Sequence, residues 1–484
     1  MELWFYRSWP IIPIFDSKPL LDSILLVPCV GAILYWVYIS YIRPPVFSIW
    51  NGRKFFWVYQ RLLHNGSSDE LKVALHELNR SARNIVRHAT TRPEDESANW
   101  NPGRTEAAAI DLILLLGNRR LCSEMAKHSP NTAAIFFHEI SKQEKFHLPY
   151  GVFAQNVAGA MLTDKSSAIF HEDSGWDSGW SGYAQLYSDE IFANPLHIAE
   201  LSRKHSSPLD IRYATRQSWD AENWEAYARV ALLYLRKIID TSPRQISNAS
   251  TYQILNVCAS ISESAYLLNG VEGPFDRSDE FQKLSVLSNF LRELMGSLDS
   301  GNVKVRAPLK PDPDSFSEDF HEKLAQTIFE VIFDIASVRQ PNWTCWTVSY
   351  NVVWSRIFPL NRGETSTWVF RRVSRLIYQE IIEMEDFFNF RGAAYLGFCL
   401  NVLGLDANRR RGWKKSENAL RVAVLQWTRK NYSRMREESP KVAEACLHGS
   451  VTFDELTNEI VKTYQNETSK VPSEARFKVD IAIP

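Results

Sequence analysis

A short segment at residues 171–182, with the sequence HEDSGWDSGWSG, holds the residues whose types and spacing most resemble a chemical site. Glu172, Asp173 and Asp177 carry carboxylate oxygens, which Ca²⁺ and Mg²⁺ prefer as ligands. The glycines between them permit the tight backbone that a metal-binding loop needs. Because the segment lacks the D-x-[DN]-x-[DN]-G alternation of a calcium-binding loop, a metal site is one interpretation among three.

The other two interpretations of this segment need no metal. Asp and Ser cap helices and Gly permits turns, so the segment could be a simple connection in which Trp176 and Trp180 pack onto the body of the protein. Surface loops also carry many binding sites, and the same two tryptophans could contact a ligand or a protein partner. We expect His171 to be a hydrogen-bonded polar residue rather than a metal ligand.

A dense basic run is the second candidate site. Its members are Arg409, Arg410, Arg411, Trp413, Lys414 and Lys415. It lies in a basic region, 356–436, with sixteen Lys and Arg against seven Asp and Glu, whereas 139–200 has nine acidic residues against three lysines. The run could be a solvated face, or it could pair with the acidic region inside the fold.

Two further interpretations give the basic run a ligand. Next to anionic cytoplasmic lipid each basic residue contributes about 1 kcal/mol, and an interleaved tryptophan suits such an interface. Nucleic acid or a phosphorylated ligand is the other possibility. Nucleic acid is the least favoured, because the whole chain has a net charge of −1 and contains no nucleic-acid-binding module.

The common catalytic signatures are absent from the sequence. It contains no GxxxxGK[ST], GxGxxG, GxSxG or HExxH motif. The nearest approaches are GWSG at 179–182, with the wrong spacing, and His138-Glu139, with no second histidine one turn later. We therefore expect no cofactor, and an enzyme would need a site assembled from distant residues.

The elements that must position these residues are predicted to be α-helices. Apolar residues recur at helical spacing in several segments, for example at 227, 230, 231, 234, 235 and 238. Ser67 and Glu70 form a capping-box pattern, and Ser129-Pro130 has the pattern of a helix start. No β-hairpin signal is evident, so the predicted fold class is all-α, as an α-solenoid-like array or an irregular helical bundle.

The helix predictions also give a domain division. Helices are expected near 53–64, 68–89, 105–127, 131–146, 151–163, 183–204, 218–240, 247–269, 278–298, 318–338, 343–358, 365–386, 389–404, 415–437 and 453–465. The proline-containing residues 301–316 are predicted to be a linker. They would separate one helical domain at 50–300 from a second, with the basic surface, at 317–470, followed by a C-terminal tail at 471–484.

An uncharged apolar stretch at 23–42 predicts a single transmembrane helix. Twenty helical residues span about 30 Å, the thickness of a bilayer core. Residues 1–22 would form an extracytoplasmic or interfacial tail. The basic residues that follow, Arg43, Arg53, Lys54 and Arg61, without any acid between them, favour a cytoplasmic body at the cell membrane. The scattered cysteines agree with a reducing compartment.

Three functions are compatible with these features. The first is a membrane-tethered helical scaffold or sensor, whose cytoplasmic body binds a protein partner or ligand. The second is a membrane-anchored, metal-assisted hydrolase that uses the acidic residues of 171–182 with His171 or His138. The third is an accessory subunit of a larger membrane complex, in which the span packs against other helices.

Overall fold

The computed structural model shows a predominantly helical protein. Within the described residues it contains twenty α-helices and a three-stranded antiparallel sheet. The chain divides into two compact units, Met1–Ile113 and Leu114–Pro484. The helical class is therefore confirmed, although a small sheet is added to it. The described residues are 18–37, 46–90, 103–172, 187–301, 303–305, 308–309, 319–359, 362–406, 415–464 and 473–480.

The first unit contains helices α1 (Lys18–Val37), α2 (Gly52–Asn65), α3 (Ser68–His88) and most of α4 (Arg104–Leu116). The predicted capping box is present, since the Ser67 hydroxyl accepts from the Glu70 N–H and the Glu70 carboxylate accepts from the Ser67 N–H. Phe47 is fully buried, and its backbone N–H donates to Ser81 Oγ at 3.1 Å. This contact ties the segment before α2 to α3.

Helix α1 covers most of the stretch predicted to span a membrane, but it begins five residues earlier, at Lys18, and its described part ends at Val37. Residues 38–45 lie outside the described chain. A search of the described residues finds no helix with the length and apolar character that a membrane crossing requires.

The second unit holds the remaining helices. The predicted helix at 105–127 is divided because Gly117 and Asn118 interrupt it, and the Asn118 side chain caps the second piece by accepting from two backbone N–H groups. The α-helices are α5 (Arg119–His128), α6 (Pro130–Lys142), α7 (Gly151–Thr163), α8 (Ala168–His171), α9 (Pro195–Arg203), α10 (Tyr213–Arg216), α11 (Ala221–Thr241), α12 (Ala249–Ala259), α13 (Asp279–Ser300), α14 (Phe320–Ile335), α15 (Asn342–Trp346), α16 (Ser355–Ile357), α17 (Glu364–Glu383), α18 (Phe390–Leu403), α19 (Lys415–Glu438) and α20 (Pro440–Ala445).

Shorter helical turns join these elements. Among the described residues, three of these turns have 3₁₀ geometry and two have π geometry. The 3₁₀ turns are Pro243–Gln245, Ser260–Leu267 and Phe275–Arg277, and the π turns are Ser188–Ala193 and Thr347–Trp354.

The prediction of a helix at 453–465 is wrong. Strands β1 (Val451–Asp454), β2 (Glu459–Tyr464) and β3 (Ser473–Lys478) pair in the order β1-β2-β3, so the sheet also takes in part of the predicted C-terminal tail. The Asp454 carboxylate accepts from the N–H groups of Leu456 and Thr457 and so turns the chain. Asn458, with φ of 52°, completes the reversal. Asp and Asn favour such turns, and this hairpin signal was missed.

Helices on the two sides of the predicted linker pack on each other. α14 contacts α12, and α13 contacts α17. A buried ion pair joins α14 to α17, where Arg372 Nε and Nη2 each donate to a carboxylate oxygen of Glu322 at 2.7 Å. Both side chains are less than a tenth exposed, so each charge depends on the other for its solvation.

Removal of one partner of this pair should be far more damaging than removal of both. We expect Glu322→Gln to lower the free energy of unfolding by about 3–5 kcal/mol, because it leaves the Arg372 charge buried and uncompensated. The double variant E322L/R372M should lose much less of the free energy of unfolding, because no unpaired charge remains buried. Urea denaturation of the wild type, of the single variants Glu322→Leu and Arg372→Met and of the double variant measures the coupling, and additive losses would contradict this account.

A buried lysine fixes the sheet to the helices. Lys462 of β2 is 2 % exposed, and its ammonium donates to the backbone carbonyl of Asn401 in α18. The same nitrogen lies 4.4 Å from the ring centroid of Trp346 and 5.0 Å from that of Tyr464. The Asn401 amide donates to Cys345 Sγ at 3.2 Å, which joins α15 to the same cluster. A cation in contact with two aromatic faces is thereby stabilised away from water.

Two buried histidines are neutral in the folded protein. Burial lowers the pKa of His197 to about 4, and its ring nitrogens contact the Tyr150 hydroxyl at 2.7 Å and the Phe137 carbonyl at 2.9 Å. Burial, assisted by the nearby Arg339, lowers the pKa of His448 to about 3. The carbonyls must accept, so Nε2 of each histidine carries the proton.

Acid should therefore destabilise the second unit before its carboxylates titrate. Between the unfolded pKa of about 6.5 and the lower folded values, only the unfolded chain takes up protons at these two histidines. Their full contribution to the free energy of unfolding is therefore present above pH 7 and is lost as the pH falls. Each histidine should lower the free energy of unfolding by about 2 kcal/mol at pH 5 relative to pH 8. Thermal melts across this range should show a smaller slope for His448→Gln. The exposed control His171→Gln should keep the wild-type slope, and equal slopes in all three proteins would contradict the assignment.

Candidate ligand-binding site

Most of the side chains singled out by sequence lie outside the described residues. These are Asp173, Trp176, Asp177, Trp180, Arg409, Arg410, Arg411, Trp413 and Lys414. Lys415 begins α19, but its side chain is not in the described part. The interpretations of the two segments therefore stay predictions.

Glu172 is described, and its carboxylate is already engaged. It is 9 % exposed and accepts from the N–H of Tyr187 at 2.6 Å and from the N–H and hydroxyl of Ser188 at 3.0 and 2.6 Å. It thus joins the described residues that precede position 173 to those that follow position 186. This geometry favours a structural role for Glu172.

The histidines named with Glu172 do not join it. His171 is exposed, and His138 contacts Glu190 at 3.1 Å. In the part of the chain that the structure describes, no three His, Cys, Asp or Glu side chains are grouped to hold a metal ion. The cysteines Cys122, Cys258, Cys345, Cys399 and Cys446 are buried, and burial raises the pKa of each thiol. Protonated thiols of this kind are poor nucleophiles.

Glu172→Gln distinguishes the two roles of this residue. The amide keeps one acceptor in place of a carboxylate that accepts three bonds, so we expect a loss of about 1–3 kcal/mol in unfolding free energy. Chelator, Ca²⁺ or Mg²⁺ should not change the difference between variant and wild type. A calcium-dependent rise in the melting temperature of the wild type that the variant lacks would instead support the metal site.

A cavity in the second unit has the features of a ligand site. Its volume is about 670 Å³, within the range of small-molecule sites. Helix α10, the start of α11, the 3₁₀ turn Ser260–Leu267, α13 and α14 line it, and it is open to solvent. Three large side chains at the cavity are mostly exposed, namely Tyr213 at 56 %, Tyr266 at 51 % and Leu267 at 67 %.

The aromatic wall of this cavity is built by the start of α11. Asp220 and Asn223 form a capping box there, which places Trp219 just before the helix and Trp224 in its first turn. The two indole rings meet edge to face with centroids 5.1 Å apart. Trp219 Nε1 donates to Thr163 Oγ1 at 3.0 Å, so its polar group is satisfied. Both indole rings are buried, since Trp219 is 1 % and Trp224 is 5 % exposed.

The opposite wall carries a hydrogen-bonded carboxylate. Asp334 of α14 accepts from the hydroxyl of Ser262 at 2.5 Å and from the hydroxyl of Tyr266 at 2.9 Å. Partial burial, together with this carboxylate, raises the pKa of Tyr266 to about 12. The phenol is therefore a fixed neutral donor. Lys283 on α13 is paired with Asp279 at 2.7 Å, so that cation is also occupied.

Arg216 is different from the other charged residues of the cavity. Its Nη1 donates to Ser260 Oγ at 3.0 Å, and the guanidinium carbon lies 5.5 Å from the ring centroid of Tyr213. Its Nε is buried and has no acceptor among the described residues. A buried donor left unsatisfied costs about 1–3 kcal/mol.

Sequence reasoning missed this cavity. Its residues come from segments between 213 and 334 that are separated by up to about a hundred positions, and none matches a motif. The one local signal is the capping residue Asp220 flanked by Trp219 and Trp224. That pattern predicts a helix start, which is correct, but it does not indicate a cavity.

No protein-family model, no curated protein and no solved structure matches this chain.

Proposed function

We propose that this chain is a membrane-tethered helical scaffold or sensor whose body binds a partner or ligand. The observation that carries the proposal is the surface of α1. From residue 26 to residue 37 none of its described side chains is buried, although they are almost all apolar. Leu26, Val27, Ile33, Leu34 and Trp36 are each 61–71 % exposed.

These exposed side chains lie around the whole circumference of α1. At 100° per residue, Leu26, Val27, Tyr35 and Trp36 point in four directions, and no polar stripe separates them. A helix that packed on a soluble body would bury one apolar face and expose a polar one. An apolar surface on all sides instead fits lipid, in which every face of the helix is in contact with hydrocarbon.

Helix α2 adds support for an adjacent membrane surface. Its inner face buries Phe55, Tyr59 and Leu63. Its outer face carries exposed side chains at helical spacing that combine aromatic, aliphatic and basic types. They are Arg53, Lys54, Trp57, Val58 and Arg61, preceded by Trp50, which is 94 % exposed. Such a face suits the interface of a bilayer with anionic lipid, on the side where basic residues accumulate.

The body is proposed to be α-solenoid-like. In the second unit, contacts recur between helices two places apart, as in α5 with α7, α11 with α13, α12 with α14, α17 with α19 and α18 with α20. Stacked helical pairs give this pattern, and they present extended surfaces to partners. The cavity beside Arg216 is one place in this body where a ligand or partner group could bind.

Carbonate extraction tests the tether. We expect the full chain to stay in the membrane pellet at alkaline pH and a chain that lacks residues 1–45 to be released. The double variant I33R/L34R should also be released, because each arginine at the centre of a span costs about 2.5–3.5 kcal/mol.

The matched control I33L/L34I keeps the apolar surface and should stay in the pellet. Release of the wild-type chain by carbonate would contradict the proposal. So would retention of the arginine variant at the wild-type level, because lipid would then not be what holds α1.

A further inference from the structure

We propose that the groove between α17 and α19 binds a single-chain amphiphile, which is an alkyl chain that carries an anionic head group. The head group is a carboxylate, as in a fatty acid, or a phosphate, as in a lysophospholipid, and the chemistry of the contact is the same in both. This inference rests on the proposed ligand-binding role of the body and names the class of ligand. It does not depend on the membrane tether.

The groove lies between two helices of the second unit and is open to solvent. Its volume is about 610 Å³, within the range of small-molecule sites. One wall is the outer face of α17, and the other is the first part of α19, where the small side chains of Ala419 and Ala423 leave room. Further along, the chain is held together, since Asn431 Nδ2 donates to Glu385 Oε1 at 3.4 Å and Arg434 Nη2 donates to the Glu385 carbonyl at 2.7 Å.

The α17 wall changes from basic to apolar along its length. Arg371, Arg375, Tyr378 and Ile382 line the groove at spacings of three or four residues, so they form one stripe on the helix. The stripe is about 16 Å long. A ligand can reach it, because Arg371 is exposed, Ile382 is 40 % exposed, and Arg375 and Tyr378 are partly exposed. A molecule that lies along the stripe meets charge at one end and apolar surface at the other.

The α19 wall is apolar where it faces this stripe. Ala419 is exposed, Ala423 is partly exposed, and Leu420 lies deeper at 4 % exposure. These three side chains offer no hydrogen bond to a polar ligand. Contact with an alkyl chain removes their surface from water, which is favourable.

The basic end of the groove carries charge that the described chain does not neutralise. Neither Arg371 nor Arg375 forms an ion pair among the described residues, whereas Arg372 is paired with Glu322. Like charges four residues apart on a helix repel each other, so an anion beside them is stabilised. Glu383 also lines the groove, but it lies eight residues beyond Arg375, about 12 Å along the helix.

Arg371 is the residue that contacts the head group. Its side chain is exposed, and an arginine binds a carboxylate or a phosphate with charge-assisted hydrogen bonds. Arg375 Nη1 is buried, so that nitrogen is not assigned a contact with the ligand. The charge of Arg375 one turn away adds to the attraction.

The size of the groove favours an extended chain over a helix. A helix about 16 Å long and about 10 Å wide occupies about 1,300 Å³, roughly twice the volume of the groove. An acidic amphipathic helix of a partner protein is therefore the less favoured occupant. An alkyl chain is narrow enough to lie between α17 and α19.

Photo-crosslinking of the full chain in neutral detergent tests this proposal. The probe is palmitate with a diazirine on its chain, and mass spectrometry locates the label after illumination. We expect label on α17 and on the first part of α19, and unlabelled palmitate should compete for it. Hexadecanol has the same chain without the charge, and it should compete about tenfold more weakly than palmitate. Lysophosphatidate is compared with palmitate, and the stronger competitor identifies the head group.

Substitutions locate the binding to the groove. Arg371→Gln removes the exposed charge, and Ala423→Phe fills the space between the helices, so each should lower the label about fivefold. The matched controls are Lys430→Gln and Gln426→Phe, at exposed positions of α19 that do not line the groove, and they should be labelled as the wild type is. Arg371→Gln should also keep the wild-type melting temperature, because the side chain that it replaces is exposed.

Four results would overturn the inference. They are label confined to other parts of the chain, equal competition by palmitate and hexadecanol, unchanged label in Arg371→Gln, and displacement of the probe by an acidic amphipathic peptide but not by palmitate. The last result would assign the groove to a protein partner. None of them would affect the carbonate extraction, so failure of the ligand assignment and failure of the tether can be told apart.

Discussion

The buried charges of Glu322 and Arg372 must face each other, and this requirement constrains how the helices of the second unit pack. It fixes α14 against α17 with two bonds of 2.7 Å, across the break that the sequence marks at 301–316. α14 also packs on α12 and on the 3₁₀ turn Ser260–Leu267. Through these contacts it brings Asp334 to the wall of the cavity. Because neither buried charge could be solvated by water if the pair separated, the ion pair holds α14 in place. The side of the cavity that α14 forms is therefore rigid.

The same guanidinium chemistry has two outcomes in one chain. The Nε and Nη2 edge of Arg372 is occupied by a carboxylate from its own fold, and that arginine is structural. The corresponding edge of Arg216 has no acceptor among the described residues, although its Nε is buried. A donor in that state is an energetic cost to the folded protein. Arg375 Nη1 is another buried arginine nitrogen without an acceptor among the described residues, so this state is not particular to the cavity.

Sequence patterns predict the helices well because their information is local. The periodicity at 227–238 lies within α11, and the Ser67 and Glu70 capping box forms as expected. The sheet was missed because its turn depends on Asp454 and Asn458, and because buried Lys462 interrupts the apolar character of β2. The cavity was missed for a different reason. Its residues share no period or motif, and only the packing of α11, α13 and α14 brings them together.

The helix α2 changes where lipid contact should be sought. The sequence drew attention to the basic run at 409–415, which lies outside the described residues apart from the start of α19. α2 offers a more complete case, because Lys54, Trp57 and Arg61 lie on one exposed face while its opposite face is buried. Basic side chains are well solvated by water and need no membrane. An indole such as that of Trp57, which is 57 % exposed, is stabilised by transfer to the bilayer interface. If the proposed tether is correct, α1 and α2 would meet the same membrane, so the test of lipid contact belongs in the first unit.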